Sequence, residues 1–290
     1  MNDAVNLMRG DVGTAIKLTV MRSQQEQPLE FNLVREIIKT RSVKEKMLAP
    51  GYAYVRIAQF QASTTDELKQ ALAVLQKQGE IRGLVLDLRN NPGGLLDEAV
   101  GVADVFLNKG LIVYTKGRIP SSNTRYSATA GEMLPQVPMI VLVNQGTASA
   151  AEIVAGALQD NHRAKILGTN TFGKGTVQTV IPISEKKAIK LTTALYYTPS
   201  GRSIQAEGIK PDIADSDNNI SAAQSSALTS EASLEKHIVN SKAQNKKKTT
   251  SDQSDAKREE NAAPAATIKP NSNTSTEDNQ LQDALKLLKK

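Results

Sequence analysis

Two apolar runs, each followed by a glycine-bearing turn and a helical pattern, constrain the fold of this 290-residue chain more than any other feature. They are residues 84–88, with a turn at 89–94 and a helix over about 96–107, and residues 139–143, with a turn at 144–146 and a helix over about 149–159. A continuous apolar run is typical of a strand covered on both faces. The repeated order of strand, turn and helix therefore predicts an α/β or α+β domain with a mostly parallel sheet, whose sites gather at the carboxyl ends of the strands.

Weaker patterns add further elements on both sides of these two runs. Period-two alternation and helical spacing predict a helix at 3–9, paired strands at 16–20 and 29–33, a strand at 52–58, a helix at 64–79, and strands at 164–167, 176–183 and 188–197. Thr64 and Glu67 have the spacing of a capping box at the start of the second helix. We interpret residues 39–46 as a basic connector.

The end of the chain has a different composition. All ten aromatic residues lie between Phe31 and Tyr197, so the last third lacks the large side chains that a core needs. Residues 215–275 show no sustained periodicity and are predicted to be a disordered, low-complexity linker. In residues 276–290 the side chains of Leu281, Leu285 and Leu288 share one helical face, with Thr276 as the expected cap. A helix this short is marginal alone, so the pattern predicts an amphipathic helix that needs a partner surface.

Composition also excludes several classes of site. The absence of cysteine excludes disulfides, thiolate zinc sites and a cysteine nucleophile. Two histidines, His162 and His237, are too few for a three-histidine zinc site. A net charge of +6 is weak support for nucleic-acid binding, and no apolar run is long enough to predict a membrane span. Composition therefore gives no support for zinc sites of these kinds, and we expect no nucleic-acid partner and no membrane span in this chain.

The run NQGTASAAEI at 144–153 places Ser149 where a strand turns into a helix. Small residues surround this serine, and the free N–H groups and positive dipole of a helix start favour an alkoxide or an oxyanion. Serine is also a preferred N-cap residue, so the turn taken alone is compatible with an ordinary helix cap.

The run GTNTFGKGTVQ at 168–178 holds Lys174 between two glycines. A phosphate loop of the form G-x-x-x-x-G-K requires Ser or Thr after the lysine and a helix beyond it, whereas here Gly175 and a strand pattern follow. A lysine that serves as general base for a serine nucleophile is the second interpretation. A solvated surface lysine is the third.

Together these two runs resemble the carboxyl-terminal processing peptidases, also called tail-specific proteases. The matching segments are LDLRNNPGG at 86–94, the serine run with a lysine 25 positions after Ser149, TFGKGTVQ at 171–178, YYTPSGRSIQ at 196–205 and GIKPD at 208–212. The resemblance extends from residue 1 to about 213.

The resemblance implies a ClpP/crotonase-like fold and a serine endopeptidase that cleaves near the C-termini of proteins through an acyl-enzyme, without metal or cofactor. It assigns the roles of nucleophile to Ser149, general base to Lys174, orientation of the lysine to Gln178, and oxyanion hole to the backbone N–H groups of Gly94, with Gly93 as the alternative, and Ala150. An uncharged lysine is required for this role, so we expect Lys174 to be largely buried and free of a carboxylate partner.

A Ser-His-Asp triad is the rival arrangement. His162 is thirteen residues after Ser149, near the end of the same predicted helix, so it lies too far away to reach the serine hydroxyl. We interpret His162 as a surface residue that complements the helix dipole. Asp87 and Arg89 flank a strand end and are predicted to stabilise the glycine turn.

The resemblance further implies that residues 1–38 are the C-terminal half of a PDZ domain and residues 39–214 the catalytic domain. The chain lacks a secretory leader and opens inside a domain pattern, so we expect a truncated sequence whose intact form is periplasmic or extracellular. Expected partners are proteins with exposed C-termini, with a possible adaptor or self-association through the C-terminal helix. The alternative function is a catalytically silent peptide-binding relative.

Overall fold

The computed structural model describes residues 5, 7–22, 27–37, 41–120, 123–184, 187–214, 230–234, 238 and 278–290. It divides into two compact units, Met1–Arg41 and Ser42–Lys290. In the first unit, β1 (Ala15–Val20) pairs with β2 (Leu29–Val34) in antiparallel register. This hairpin was expected from the alternating pattern and is confirmed. The linker predicted at 215–275 lies almost wholly outside the described residues.

The second unit alternates strands with helices. Its strands are β3 (Val43–Ala49), β4 (Tyr52–Ile57), β5 (Gly83–Asp87), β6 (Leu111–Gly117), β7 (Arg125–Ser127), β8 (Met139–Val143), β9 (Lys165–Gly168), β10 (Thr176–Ser184), β11 (Lys187–Tyr197) and β12 (Ile213–Ala214). Its helices are α1 (Thr64–Gln78), α2 (Leu96–Phe106), α3 (Ala150–Asp160), the 3-10 helix Glu231–Ser233 and α4 (Asn279–Leu288).

Six strands form the main sheet, in the order β12-β9-β8-β5-β4-β3. All neighbouring pairs are parallel except β3 with β4, which is antiparallel at the edge. The prediction of a mostly parallel sheet is therefore confirmed. Because β5 and β8 are adjacent, the turns that follow them meet at one edge of the sheet.

Both apolar runs are buried on both faces, as their composition predicted. In β8 the side chains of Met139, Val141 and Val143 belong to the core under α1, α2 and α3. Ile140 and Leu142 point to the other face, into a second apolar cluster that includes residues of α4. This alternation is the period of two expected of a strand, and both of its phases are apolar because each face is covered.

The C-terminal helix α4 covers that second face. Ala284 and Leu288 are buried there against Tyr54, Val85 and other strand residues. Leu281 and Leu287 pack beside them, whereas Leu285, which the helical spacing placed on this stripe, is not part of the cluster. The expected partner surface is thus the sheet of the same chain. The N-cap is Asp278, whose carboxylate accepts a hydrogen bond from the Leu281 amide; Thr276, the predicted cap, lies outside the described residues.

The strands β10 and β11 belong to a second sheet, whereas the sequence predicted one mostly parallel sheet. Four antiparallel strands pair in the order β10-β11-β6-β7. The strands β6 and β7 were missed, because each mixes apolar and charged residues without strict alternation. The strand β3 was also missed, since its lysines suggested a connector. It is an edge strand, where lysine is common.

The helix α1 has 15 residues. Ser63 is its N-cap, so the prediction that Thr64 begins a capping box is wrong. Glu67 instead accepts hydrogen bonds from the Ser63 hydroxyl and from the amides of Ser42 and Val43.

In the part of the chain that the structure describes, no helix combines the length and apolarity needed to cross a bilayer.

The packing of α4 leads to a first prediction. Ala284→Asp places a charge against a fully buried apolar surface, and we expect it to lower the free energy of unfolding by about 3 kcal/mol or more. Gln282→Asp adds the same charge on the exposed side of the same helix and should change stability by less than about 0.5 kcal/mol. Urea unfolding of both variants tests this. Equal stabilities would show that α4 does not cover the sheet.

Candidate active site

Two turns meet at the carboxyl edge of the main sheet, one after β5 and one after β8. The Ala148 amide donates to the Asn91 carbonyl at 2.9 Å, and the Thr147 hydroxyl donates to the Leu88 carbonyl at 2.8 Å. The side-chain amide of Asn144 donates a hydrogen bond to Asn90 Oδ1 at 3.0 Å. These bonds hold the glycine turn of β5 against the turn that carries Ser149.

Ser149 is the N-cap of α3, but its backbone is not that of an ordinary cap. Its φ of 55° and ψ of −116° lie in a region that non-glycine residues rarely adopt, whereas a usual N-cap is extended. Such a conformation costs about 1–3 kcal/mol and persists only where the surroundings impose it. Backbone strain at a serine in a turn between strand and helix is typical of a functional site.

The buried carboxylate of Glu152 joins this turn to the loop that carries Lys174. It accepts four hydrogen bonds: from the Ser149 amide at 2.8 Å, the Thr171 hydroxyl at 2.5 Å, the Gly173 amide at 2.8 Å and the Lys174 amide at 2.9 Å. Each carboxylate oxygen receives two of them. Glu152 therefore cross-links two segments that are far apart in the sequence.

One oxygen of this carboxylate brings Ser149 and Lys174 together. Both backbone amides bond to Oε2 of Glu152, so the two nitrogens lie no farther apart than the sum of those two bond lengths. The Phe172 amide, which donates to the Thr147 carbonyl at 3.0 Å, adds a second link between the two segments. The serine run and the lysine run, which the sequence analysis paired, therefore meet at one edge of the sheet.

The Lys174 side chain was expected to be largely buried and free of a carboxylate partner. Among the residues that the structure describes, it forms no ion pair with a carboxylate. It is only partly buried, however, and not largely buried as expected. It lies just before β10, a strand whose residues from Gln178 onward are exposed, whereas its two glycine neighbours are buried.

Burial raises the pKa of Glu152 to about 7, even though the hydrogen bonds from Thr171, Gly173, Ser149 and Lys174 act in the opposite direction. The side chain is fully inaccessible, so its ionised form loses the solvation of water. The four donors replace part of that solvation. Sequence reasoning missed this residue, although the spacing of Ser149 and Glu152 is that of a capping box and could have indicated it.

The glycine turn lies directly beside the serine. A Cβ on Gly93 would be 2.9 Å from both the Ala150 nitrogen and the Ser149 Cβ, and one on Gly94 would be 2.0 Å from the Phe60 carbonyl oxygen. The Gly93 amide already donates to Asn91 Oδ1 at 2.9 Å. Within the described residues, the amides of Gly94 and Ala150 have no hydrogen-bond acceptor. Of the two glycines, Gly94 is thus the one whose N–H group is available to a substrate.

Gln178 is not joined to Lys174 in this structure. It is exposed on β10, and the pairing of β10 with β11 shifts between Val177 and Gln178. Positions 174 and 178 would point to the same face only if residues 174–178 formed one regular extended segment. Lys174 instead precedes the strand, and the irregularity interrupts the alternation.

The remaining candidates lie where their interpretations placed them. His162 is exposed beyond the far end of α3, at the end of the helix opposite Ser149. Asp87 is fully buried and accepts hydrogen bonds from the Arg89 amide at 2.9 Å and guanidinium at 2.7 Å, as expected for residues that stabilise the turn. Arg89 also pairs with Asp278 at the start of α4. Among the residues described, no three acidic or histidine side chains cluster as metal ligands.

The chain belongs to peptidase family S41, whose family profile matches residues 51–215. It is 51% identical over 216 residues to the carboxy-terminal-processing protease of Bartonella bacilliformis, which covers 73% of this chain and 50% of that protein. It is 43% identical over 217 residues to the carboxyl-terminal-processing protease of Synechocystis, with the same shares covered. The solved photosystem II D1 C-terminal processing protease is similar with a TM-score of 0.54 at 35% identity, over 74% of this chain and 59% of that one.

These similarities confirm the family resemblance and the mixed α/β fold. The chain spans about half the length of the curated relatives that it matches.

The strained backbone of Ser149 leads to a second prediction. Ser149→Gly relieves the unfavourable φ and ψ, whereas Ser149→Ala keeps a Cβ and therefore keeps the strain. We expect the glycine variant to be more stable than the alanine variant by about 1 kcal/mol, measured by urea unfolding. At an unstrained site the order would be reversed, since glycine costs more backbone entropy.

The pKa of Glu152 leads to a third prediction. Because this pKa is raised from 4.5 to about 7 on folding, the native state binds the proton more tightly than the unfolded chain does. The stability that this group contributes is full at low pH and is lost as the pH rises through about 7. The loss is on the order of 3 kcal/mol. In Glu152→Gln this contribution is absent.

Urea unfolding at pH 5 and pH 8 measures the effect. The stability of wild type relative to Glu152→Gln should be greater at pH 5 than at pH 8. A pH-independent difference between the two proteins would contradict the raised pKa.

Proposed function

We propose that this chain is the catalytic part of a serine endopeptidase that cleaves proteins near their C-termini. Ser149 is the nucleophile and Lys174 the general base. The observation that carries the proposal is the Glu152 carboxylate, which binds the backbone amides of both residues through the same oxygen. Membership of a peptidase family and similarity to carboxyl-terminal processing proteases support it.

In the proposed reaction, the uncharged amine of Lys174 takes the proton of the Ser149 hydroxyl while Oγ attacks the peptide carbonyl carbon. The amides of Gly94 and Ala150 donate to the developing oxyanion. The lysine then gives its proton to the leaving amine, and the C–N bond breaks to leave an acyl-enzyme. The lysine next takes a proton from water, whose oxygen attacks the ester carbonyl carbon. The bond from that carbon to Oγ then breaks, and the lysine returns the proton to Ser149 Oγ.

Two features of the site must change when a peptide binds. Lys174 is partly exposed, and apolar substrate side chains lying over it would remove water from its amine and favour the uncharged form. Gln178 is assigned to orient the amine, which requires the start of β10 to adjust around its irregular pairing. The substrate would thus complete the arrangement on which the base depends.

The wider setting is also part of the proposal. The strands β1 and β2 would belong to the C-terminal half of a PDZ domain, and the complete protein would act in the periplasm or outside the cell on proteins with exposed C-termini. An adaptor would need a surface other than the apolar stripe of α4, because the sheet of the same chain covers it. A catalytically silent relative is disfavoured, since Ser149 and Lys174 are both present and brought together.

A peptidase assay provides the fourth prediction. The substrate is a reduced, denatured protein with a fluorescent label at its C-terminus. Wild type should release the label, and Ser149→Ala and Lys174→Ala should lower the rate by about a thousandfold or more, because each removes a group that takes part in bond formation or proton transfer. Lys174→Arg keeps the positive charge, but its guanidinium cannot act as a base. This variant should therefore be as inactive as Lys174→Ala.

His162→Ala is the matched control and should retain wild-type activity, because His162 lies at the far end of α3. Cleavage by Ser149→Ala at the wild-type rate, or activity lost in His162→Ala alone, would overturn the assignment.

A further inference from the structure

A segment beyond the family-matched region contacts the loop that carries Lys174. The family profile ends at residue 215, and the described residues 230–234 and 238 follow it. The Glu231 amide donates to the Phe172 carbonyl at 3.0 Å. Since the Phe172 amide binds the Thr147 carbonyl, this one residue is hydrogen-bonded both to the serine turn and to the downstream segment.

Gln205 connects the same segment to the residue that follows the lysine. Its side chain is fully buried, and its Oε1 accepts the Gly175 amide at 3.0 Å. Its Nε2 donates to Glu231 Oε1 and to the Ile238 carbonyl, both at 3.1 Å. A buried amide requires hydrogen-bond partners, and the downstream segment supplies two acceptors that help to orient the Gln205 side chain.

The lysine loop is therefore held from two sides. On one side Glu152 accepts the Lys174 amide, and on the other Gln205 accepts the Gly175 amide. The backbones also approach closely, since a Cβ on Gly175 would lie 2.4 Å from the backbone nitrogen of Gln205. A small shift of Gln205 would thus move the backbone on which the lysine side chain depends.

The 3-10 helix Glu231–Ser233 gives the acceptor a defined position. The Leu234 amide donates to the Glu231 carbonyl at 3.2 Å, and three further hydrogen bonds join Ser230 and Ser233 across the turn. The backbone that carries the Glu231 side chain is therefore held by hydrogen bonds within its own turn.

We propose that Glu231 is a positioning residue for the peptidase reaction: acting through Gln205, it holds the loop of Lys174 in the arrangement that proton transfer from Ser149 requires. The inference rests on the proposed function for its catalytic consequence. Its structural part, the ordering of residues 172–178 by Glu231, stands on the hydrogen bonds alone.

The experiment compares wild type, Glu231→Ala, Glu231→Gln and Glu80→Gln in the full chain. Glu231→Gln keeps an oxygen that can accept from Gln205, whereas Glu231→Ala does not. Glu80 is an exposed carboxylate before β5, at the end of the sheet opposite the site, and provides the control. Hydrogen–deuterium exchange over residues 172–178 and the kcat and KM for the labelled substrate are measured for each protein.

In Glu231→Ala we expect exchange at the Gly175 amide to be about tenfold faster, kcat to fall about tenfold and KM to stay within about twofold. Glu231→Gln and Glu80→Gln should match wild type within about twofold in all three quantities. A merely structural role would not separate kcat from KM or be rescued by the amide variant.

Unchanged exchange in Glu231→Ala would overturn the proposal, as would an unchanged kcat, a rise in KM alone, or faster exchange that extends to β5 and β8 through global unfolding. Wild type that protects residues 172–178 but cleaves nothing would instead count against the proposed function. The exchange comparison would then still decide the role of Glu231.

Discussion

The carboxylate of Glu152 is the interaction on which the candidate site depends. Four donors from two segments converge on it, and no other side chain described at this edge of the sheet contacts both Ser149 and Lys174 through hydrogen bonds. The strained backbone of Ser149 is held in part by the bond from its amide to this carboxylate. Burial of the acidic group is unfavourable in itself, but its four hydrogen bonds offset part of that cost and hold the two loops together.

A second constraint is that both faces of the main sheet must be covered. Helices α1, α2 and α3 cover one face, and α4 covers the other. Arg89 links this packing to the site, because its guanidinium binds Asp87 at the end of β5 and Asp278 at the start of α4. The helix that closes the apolar core therefore also anchors the strand end from which the glycine turn departs.

The strongly patterned elements could be predicted from the sequence, and the weakly patterned ones could not. The buried runs β5 and β8 are uniformly apolar, and the serine and lysine runs match family motifs, so their existence and pairing were predictable. The strand β3 was missed because lysines at an exposed edge resemble a connector. The irregular pairing beside Gln178 could not be predicted, because an irregularity in strand pairing is a property of two strands and leaves no signal in one.

The sequence by itself determined the parallel α/β core, the family, and the residues that could serve as nucleophile and base, because these follow from local periodicity and from motifs of fixed spacing. Only the tertiary structure decided what holds those residues together. Glu152, Gln205 and Glu231 act through partners about 20 or more positions away, and the surface that receives α4 is built from several strands. Hydrogen bonds and packing between distant segments have no period along the chain, so they exist only after the chain has folded.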